Sequence, residues 1–215
     1  MDGKIQDFLL SCGIKDIDAF VSKCILLKEF LYEENSKYNL TRIKDDFEYW
    51  NRHIADSASI GLFFTKKLMA SNRIADIGCG AGFPSMVMAL IYPNQHITAI
   101  DSIGKKTNFV KMASEKLGLS NIEVVTARSN ELKLPQKFDI ITARAVAEPS
   151  KILKETRHLL APDGNYILYQ TPSEIEALKS AVSVVSAKFG FKWHLSEPFT
   201  LPSGENRIFL YTSRR

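Results

Sequence analysis

Arg73-Ile-Ala-Asp-Ile-Gly-Cys-Gly-Ala-Gly-Phe-Pro-Ser85 is the stretch whose reading decides the fold. Ile74 to Ile77 is a short apolar run of the kind that forms a buried parallel strand. Three glycines on alternate positions come next, Gly78, Gly80 and Gly82, and then Pro84, which suits the first turn of a helix. The apolar run Met86-Val-Met-Ala-Leu-Ile91 continues that helix. Strand, glycine turn and helix open a nucleotide-binding βαβ unit.

The spacing of the glycines narrows the ligand. A dinucleotide fingerprint reads G-x-G-x-x-G and sets a pyrophosphate on the helix N-terminus. Here the third glycine comes one residue early, Phe83 takes the later position, and no P-loop lysine succeeds it. An acid, Asp76, precedes the first glycine. That pattern suits a nucleoside without phosphates that carries a positive centre, the character of S-adenosylmethionine (SAM). A glycine-rich turn without a ligand is the bland alternative, and the next strands argue against it. His96-Ile-Thr-Ala-Ile100 ends in Asp101, about 20 residues past the glycines, where an acid accepts hydrogen bonds from ribose hydroxyls. Capping the helix near Gly104 is its structural alternative. A third strand, Ile122-Glu-Val-Val-Thr126, ends in Ala127-Arg-Ser-Asn130.

Outward from this unit, strands and helices alternate. Phe138-Asp-Ile-Ile-Thr-Ala-Arg144 and Tyr166-Ile-Leu-Tyr169 read as strands, with a helix opened by Pro149 and ending before Pro162-Asp-Gly164. Glu174–Phe189 reads as a helix, and Lys192–Thr200 and Asn206–Tyr211 as two last strands joined by a hairpin at Pro202-Ser-Gly204. The expected fold is α/β: a doubly wound, mostly parallel Rossmann-like sheet with an antiparallel last strand. Residues 1–65 form an N-terminal helical extension and 66–215 the cofactor-binding domain. In the extension, Ile17, Phe20, Val21, Cys24, Leu27, Phe30 and Leu31 share one helix face, suited to packing on the body or, more sharply, to dimer formation. A further helix is expected from about Asp45 to Phe64. Along it Arg52 and Asp56 stand four apart, as do His53 and Ser57. The first pair reads as a surface salt bridge. The second lacks the third group that a hydrolytic triad needs.

Bulk properties fit an ordinary globular chain of 215 residues, 45% hydrophobic and 24% charged. Residues 1–70 hold 10 Lys+Arg against 11 Asp+Glu, and 71–215 hold 18 against 13, a mild basic excess on the cofactor half that is compatible with nucleic acid. Cys12, Cys24 and Cys79 have no metal-like spacing and read as free thiols. No apolar run approaches a membrane span, so a soluble, cytoplasmic, monomeric protein with neither metal nor membrane partner is expected.

In doubly wound sheets the ligand lies at the carboxyl ends of the strands. The expected site is therefore Asp76, Gly78, Gly80, Gly82, Phe83, Asp101, Ser129, Asn130 and Arg144. Arg144 ends an apolar strand where an unpaired guanidinium is costly to bury, so it faces the cleft or sits in a salt bridge.

With these pieces placed, the chain resembles the bacterial 16S ribosomal RNA guanine-N7 methyltransferase G family, also called glucose-inhibited division protein B. The resemblance rests on Tyr38-Asn-Leu-Thr41, Arg52-His-Ile-Ala-Asp-Ser57, Asp76 to Pro84, Asp101-Ser-Ile-Gly-Lys-Lys106, Phe138-Asp to Arg144-Ala145 and Gly204-Glu-Asn-Arg207. It implies a class I methyltransferase using SAM and releasing S-adenosylhomocysteine, with 16S rRNA or the small ribosomal subunit as substrate. Gly78 and Phe83 look like the family's cofactor contacts in the glycine turn, Ser129 and Asn130 like the adenine-side pair, and Arg144 like its cofactor-site arginine. Asn39, Arg52, His53, Lys105, Lys106 and Arg207 fall on the substrate side. Ser85 replaces the family's more frequent glycine, and Gln170 a frequent lysine.

Guanine N7 has a free lone pair and needs no deprotonation, so no general base is required. The catalytic assignments are Arg144 and Arg207, acting on charge and orientation. The competing readings are a SAM-dependent enzyme for a small molecule, a nicotinamide-dependent oxidoreductase, and a non-catalytic RNA-binding module.

Overall fold

The computed structural model describes residues 2–144, 148–177 and 190–214. Helix α1 (Gly3–Ser11) starts where the Asp2 carboxylate accepts the Lys4 amide. Helix α2 (Ile17–Tyr38) starts where Asp16 accepts the Ala19 amide, a cap worth about 1 kcal/mol. It stops at Asn39, whose left-handed backbone (φ 49°) ends the helix. The apolar face of α2 packs inward: Phe20, Cys24, Leu27 and Leu31 are buried, and Ile17, Val21 and Phe30 lie against the same cluster as Phe83, Phe109 and Val110. The face expected to bury itself on the body does so.

The helix expected over Asp45–Phe64 is interrupted. It runs as α3 (Asp46–Glu48), a π-helical segment Tyr49–Ala55 and α4 (Asp56–Ala58), breaks at Ser59–Ile60, and resumes as α5 (Gly61–Ala70). The expected boundary between residues 65 and 66 thus falls inside α5. Gly61 lies where α5 meets the end of α1. A Cβ there would stand 2.1 Å from the Cys12 carbonyl oxygen, so only glycine permits the contact.

The sheet contains β1 (Arg73–Ile77), β2 (His96–Asp101), β3 (Ile122–Thr126), β4 (Phe138–Ala143), β5 (Leu160–Gln170), β6 (Phe191–Leu195), β7 (Phe199–Thr200) and β8 (Asn206–Arg214). Its order is β3-β2-β1-β4-β5-β8-β6, with β7 paired to β8 off that path. The first five strands are parallel, and β8 is antiparallel to β5, β6 and β7, as the hairpin at Pro202–Gly204 implied. The segment read as one strand, Lys192–Thr200, divides into β6 and β7, the gap falling at Pro198, which has no amide to donate. Pro162-Asp-Gly164, expected to follow the helix opened by Pro149 and precede the next strand, lies within β5, where the register against β4 shifts. Helices α6 (Ser85–Ile91), α7 (Gly104–Leu117) and α8 (Pro149–Thr156) connect the parallel strands. Residues 172–177 are helical, and the rest of the helix expected to Phe189 lies outside the described residues.

The strand order reverses between β1 and its neighbours β2 and β4, which opens a crevice at the carboxyl ends of these strands. Among the described residues no helix is long and apolar enough to cross a membrane.

Candidate active site

The glycine turn spends its amides on the protein itself. Gly78 and Cys79 both donate to the Ile100 carbonyl, at 2.8 and 3.0 Å. Gly80 donates to Asp101 Oδ2 at 3.0 Å, and Gly82 and Phe83 donate to the Cys79 carbonyl. At the start of α6, Asp76 Oδ2 accepts the Ser85 amide at 3.1 Å. Asp76 is wholly buried, and burial raises its carboxyl to about 6 against the lowering influence of Ser85. The turn therefore forms no cradle of free N–H groups. The place a pyrophosphate takes in a dinucleotide-binding unit is filled by the chain's own carboxylate. This is the structural counterpart of the early third glycine, and it argues against the nicotinamide reading. It also places Asp76 beneath the loop, holding α6, instead of on the cleft wall.

Two glycines of the turn differ in what they permit. Gly82 (φ 89°) is packed: a Cβ would stand 2.7 Å from Met86 Sδ. Gly80 (φ 56°) faces open space, with nothing within 4 Å of where a Cβ would be. The Gly80 side of the turn is the one a ligand can approach.

A groove of about 230 Å³ lies beyond Gly78, lined by Asp101, Ser102, Ala127, Ser129 and Asn130 among others. Asp101 accepts the Ile103 amide on Oδ1 and the Gly80 amide on Oδ2, which fixes its plane and leaves lone pairs on both oxygens. Its amide partner is Ile103, the residue before α7, so the carboxylate orders the turn into the helix and still lines the groove.

On the other side of Gly78 lies a cleft of about 600 Å³, lined by Gly80, Phe83, His53, Asp56, Arg144 and Arg207 among others. His53 stacks flat on Phe83, with centroids 4.1 Å apart and planes at 8°. Its Nε2 meets Thr41 Oγ1 at 3.1 Å, and its Nδ1 has no partner. Burial, with Arg144 as the second cause, lowers its pKa to about 3, so the imidazole is neutral at pH 7. Asp56 lies at the centre of the charged wall. Its Oδ2 accepts from Arg144 Nη1 at 3.1 Å and its Oδ1 from Arg207 Nε at 3.1 Å. Arg144 Nη1 also donates to the Arg52 carbonyl. Glu205 bridges the outer rim, taking Arg207 Nη2 at 2.7 Å and Arg52 Nη2 at 2.8 Å, and Arg52 Nη1 pairs with Glu48 at 2.9 Å. Burial alone pushes the Glu205 carboxyl up, but the hydrogen bonds from Arg52 and Arg207 outweigh it and hold the group below the usual carboxylate range.

The surface salt bridge expected between Arg52 and Asp56 is thus replaced by four others. Arg52 is half exposed and pairs with Glu48 and Glu205, whereas Asp56 is buried and pairs with Arg144 and Arg207. Arg52 lies inside the π segment and Asp56 directly follows it. Asp56 and Glu205 were missed as site residues because their partners lie up to 153 residues away in the chain. The signals pointing to them were Arg144, a strand-end cation in need of an acid, and their place in the stretches Arg52–Ser57 and Gly204–Arg207 that carry the resemblance. Of the remaining substrate-side residues, Lys106 lines the cleft, Lys105 is exposed at the start of α7, and Asn39 lies in adjoining grooves at the end of α2.

The residues present fit SAM. Gly80 leaves the turn open to a close approach, Asp101 offers a fixed carboxylate beside it, and Ser129 and Asn130 line the same groove. Among the described residues no three or more His, Cys, Asp or Glu gather as a metal site.

Comparison with known proteins points one way. Residues 21–196 match the family model described as rRNA small subunit methyltransferase G (GidB). The chain is 39% identical over 159 residues to the ribosomal RNA small subunit methyltransferase G of Mycoplasma capricolum, covering 74% of this chain and 68% of that one. It is 33% identical over 214 residues to the protein of the same name from Lactococcus lactis, covering 94% and 84%. Among solved structures it is similar to a SAM-dependent methyltransferase from Aquifex aeolicus, with TM-score 0.55 and 21% identity, covering 70% of this chain and 87% of that one.

Proposed function

Because the chain belongs to the rRNA small subunit methyltransferase G family, we propose that it transfers a methyl group from SAM to N7 of a guanine in the 16S ribosomal RNA of the small subunit. The observation that carries the chemistry is a pair of grooves meeting at Gly78, a nucleoside groove beside Asp101 and a cleft without a free general base. His53 is neutral and buried, and Asp56 is held by two arginines. Among the described residues a base that had to be deprotonated would find only weak acceptors there, since the His53 pKa is lowered to about 3 and the Asp56 and Glu205 carboxylates are ion-paired. Guanine N7 needs none.

The cofactor supplies a methyl group on a sulfonium centre. Gly78, Gly80, Gly82 and Phe83 shape its seat, Asp101 takes the ribose hydroxyls, and Ser129 and Asn130 face the adenine. Asp76 serves the seat from below by holding the loop. Arg144 and Arg207 are the proposed catalytic residues. Among the described residues Arg144 bonds only through Nη1, so its Nε and Nη2 are available to orient what enters the cleft. His53 and Phe83 form a flat, dry wall against which a base can lie, and Arg52, Asn39, Lys105 and Lys106 stand on the RNA side. A base must leave its stack to reach this cleft. The protein acts as a monomer in the cytoplasm, since α2 spends its apolar face on its own core.

The test is methyl transfer from radiolabelled SAM to small ribosomal subunits and to protein-free 16S RNA from cells lacking the enzyme, with nucleoside digestion of the product. Label in 7-methylguanosine is expected. Label in another nucleoside, or none with SAM binding intact, overturns the reading and favours a small-molecule acceptor. An Arg144→Ala protein should lose about a hundredfold or more in kcat/KM, because lost orientation costs several kcal/mol and each 1.4 kcal/mol is about tenfold.

A further inference from the structure

The arginines that the sequence marks at the cleft are already spent. Arg52, Arg144 and Arg207 are matched by Glu48, Asp56 and Glu205, each arginine within 3.1 Å of a carboxylate oxygen. This wall is close to neutral and attracts a polyanion weakly. Yet a nucleic-acid substrate brings one negative charge per nucleotide, and its affinity comes largely from neutralising phosphates.

Free positive charge lies next door. A second groove of about 520 Å³ runs along the connection between α2 and α3, lined by Asn39, Leu40, Thr41, Arg42, Lys44 and Lys106. It shares Leu40, Thr41 and Lys106 with the methyl-transfer cleft, so the two are continuous. No carboxylate lines it. Among the described residues Arg42, Lys44 and Lys106 make no ion pair. The neighbouring acids are engaged elsewhere: Asp45 caps α3 through the Glu48 amide, and Asp46 pairs with Lys28. The groove floor is firmly set. Buried Asn35 receives the Leu40 and Thr41 amides on its Oδ1, and Thr41 Oγ1 meets both the Ile43 amide and His53 Nε2. One short loop thus carries the free cations on its outside and supports the wall of the cleft on its inside.

We propose that this groove is the track for the RNA strand flanking the target nucleotide, with Arg42 and Lys44 contacting successive backbone phosphates and Lys106 standing where the track enters the cleft. This rests on the RNA reading of the cleft and deepens it. The occupant is single-stranded RNA, read by its phosphates and not by its bases, and the ion-paired arginines of the cleft are left to position the base.

The test compares binding of a fluorescent single-stranded oligoribonucleotide across a salt series. The proteins are wild type, an Arg42→Gln/Lys44→Gln double variant, and a Lys4→Gln/Lys66→Gln double variant. The last removes the same charge from α1 and α5, outside both grooves. Each phosphate contact contributes about 0.7 to the slope of log K against log salt for single strands. The Arg42/Lys44 variant should therefore be shallower than wild type by about 1.4 and raise the KM for rRNA, while the Lys4/Lys66 variant keeps both. Equal slopes for the two double variants, or no oligonucleotide binding by wild type, overturn the groove. Methyl transfer is assayed in parallel. A shallower slope with no transfer to rRNA by wild type leaves the groove standing and removes the reaction. Transfer by wild type with equal slopes does the reverse.

Discussion

Replacing Asp56 with asparagine tests the central claim about the charged wall. The carboxylate is 8% exposed and holds Arg144 and Arg207, themselves 14% and 16% exposed, each at 3.1 Å. Removing one partner of a buried pair costs about 3–5 kcal/mol, because the other charge stays behind unpaired. The two arginines would not suffer equally. Arg207 keeps Glu205 at 2.7 Å, whereas Arg144 keeps only the Arg52 carbonyl. Asparagine also preserves shape and one hydrogen-bond acceptor. The loss should therefore fall at the low end, about 3 kcal/mol. For a chain of this size that is a fall of roughly 6–12 °C in Tm. The assay is urea unfolding monitored by tryptophan fluorescence, with the midpoint and slope fitted together. An Asp56→Asn/Arg144→Gln double variant should recover part of the loss, since it removes the orphaned charge. A single variant within about 1 kcal/mol of wild type, or a double variant that is no better, would refute the argument that this network is buried and coupled.

The same geometry sets three other expectations. His53 is neutral in the fold and protonates with a pKa near 6.5 when unfolded, so the unfolded chain binds the extra proton and stability falls as pH drops from about 6.5 towards 3. Asp76 acts oppositely between its unfolded value and about 6, where the folded state holds the proton. A His53→Gln protein should thus lose stability with rising pH between about pH 4 and 6 relative to wild type, by up to about 1.4 kcal/mol per unit; parallel stability–pH curves would sink the assignment. Gly80→Ala should weaken SAM binding in calorimetry with a stability cost of about 1–2 kcal/mol for the left-handed backbone, whereas Gly82→Ala should cost more stability through its contact with Met86. Equal effects of the two on SAM affinity would count against the close approach at Gly80. Gly61→Ala, with its Cβ against the Cys12 carbonyl, should destabilise by more than about 2 kcal/mol, and an unchanged unfolding midpoint would contradict the tight approach of α1 and α5.

The parts of this protein legible in the sequence are those governed by local rules. The apolar run before Gly78, the acids at the ends of β1 and β2, the capping aspartate before α2 and the turn at Pro202–Gly204 each have a short-range physical cause, and each stands where that cause places it. The early third glycine even anticipated the absence of a phosphate cradle, although the reason, Asp76 occupying the start of α6, required the folded loop. Which acid meets which arginine had no local cause. Asp56 reaches Arg144 and Arg207 across 88 and 151 residues. Charge pairing of this kind depends on where chain ends of separate strands converge, and so does its corollary, that Arg42 and Lys44 in the loop after α2 and Lys106 on α7 stand unpaired beside the cleft among the described residues. Local sequence therefore determined the glycine turn and the doubly wound sheet. Tertiary structure alone decided which charges are cancelled and which remain free, because desolvation and ion pairing act through space and not along the chain.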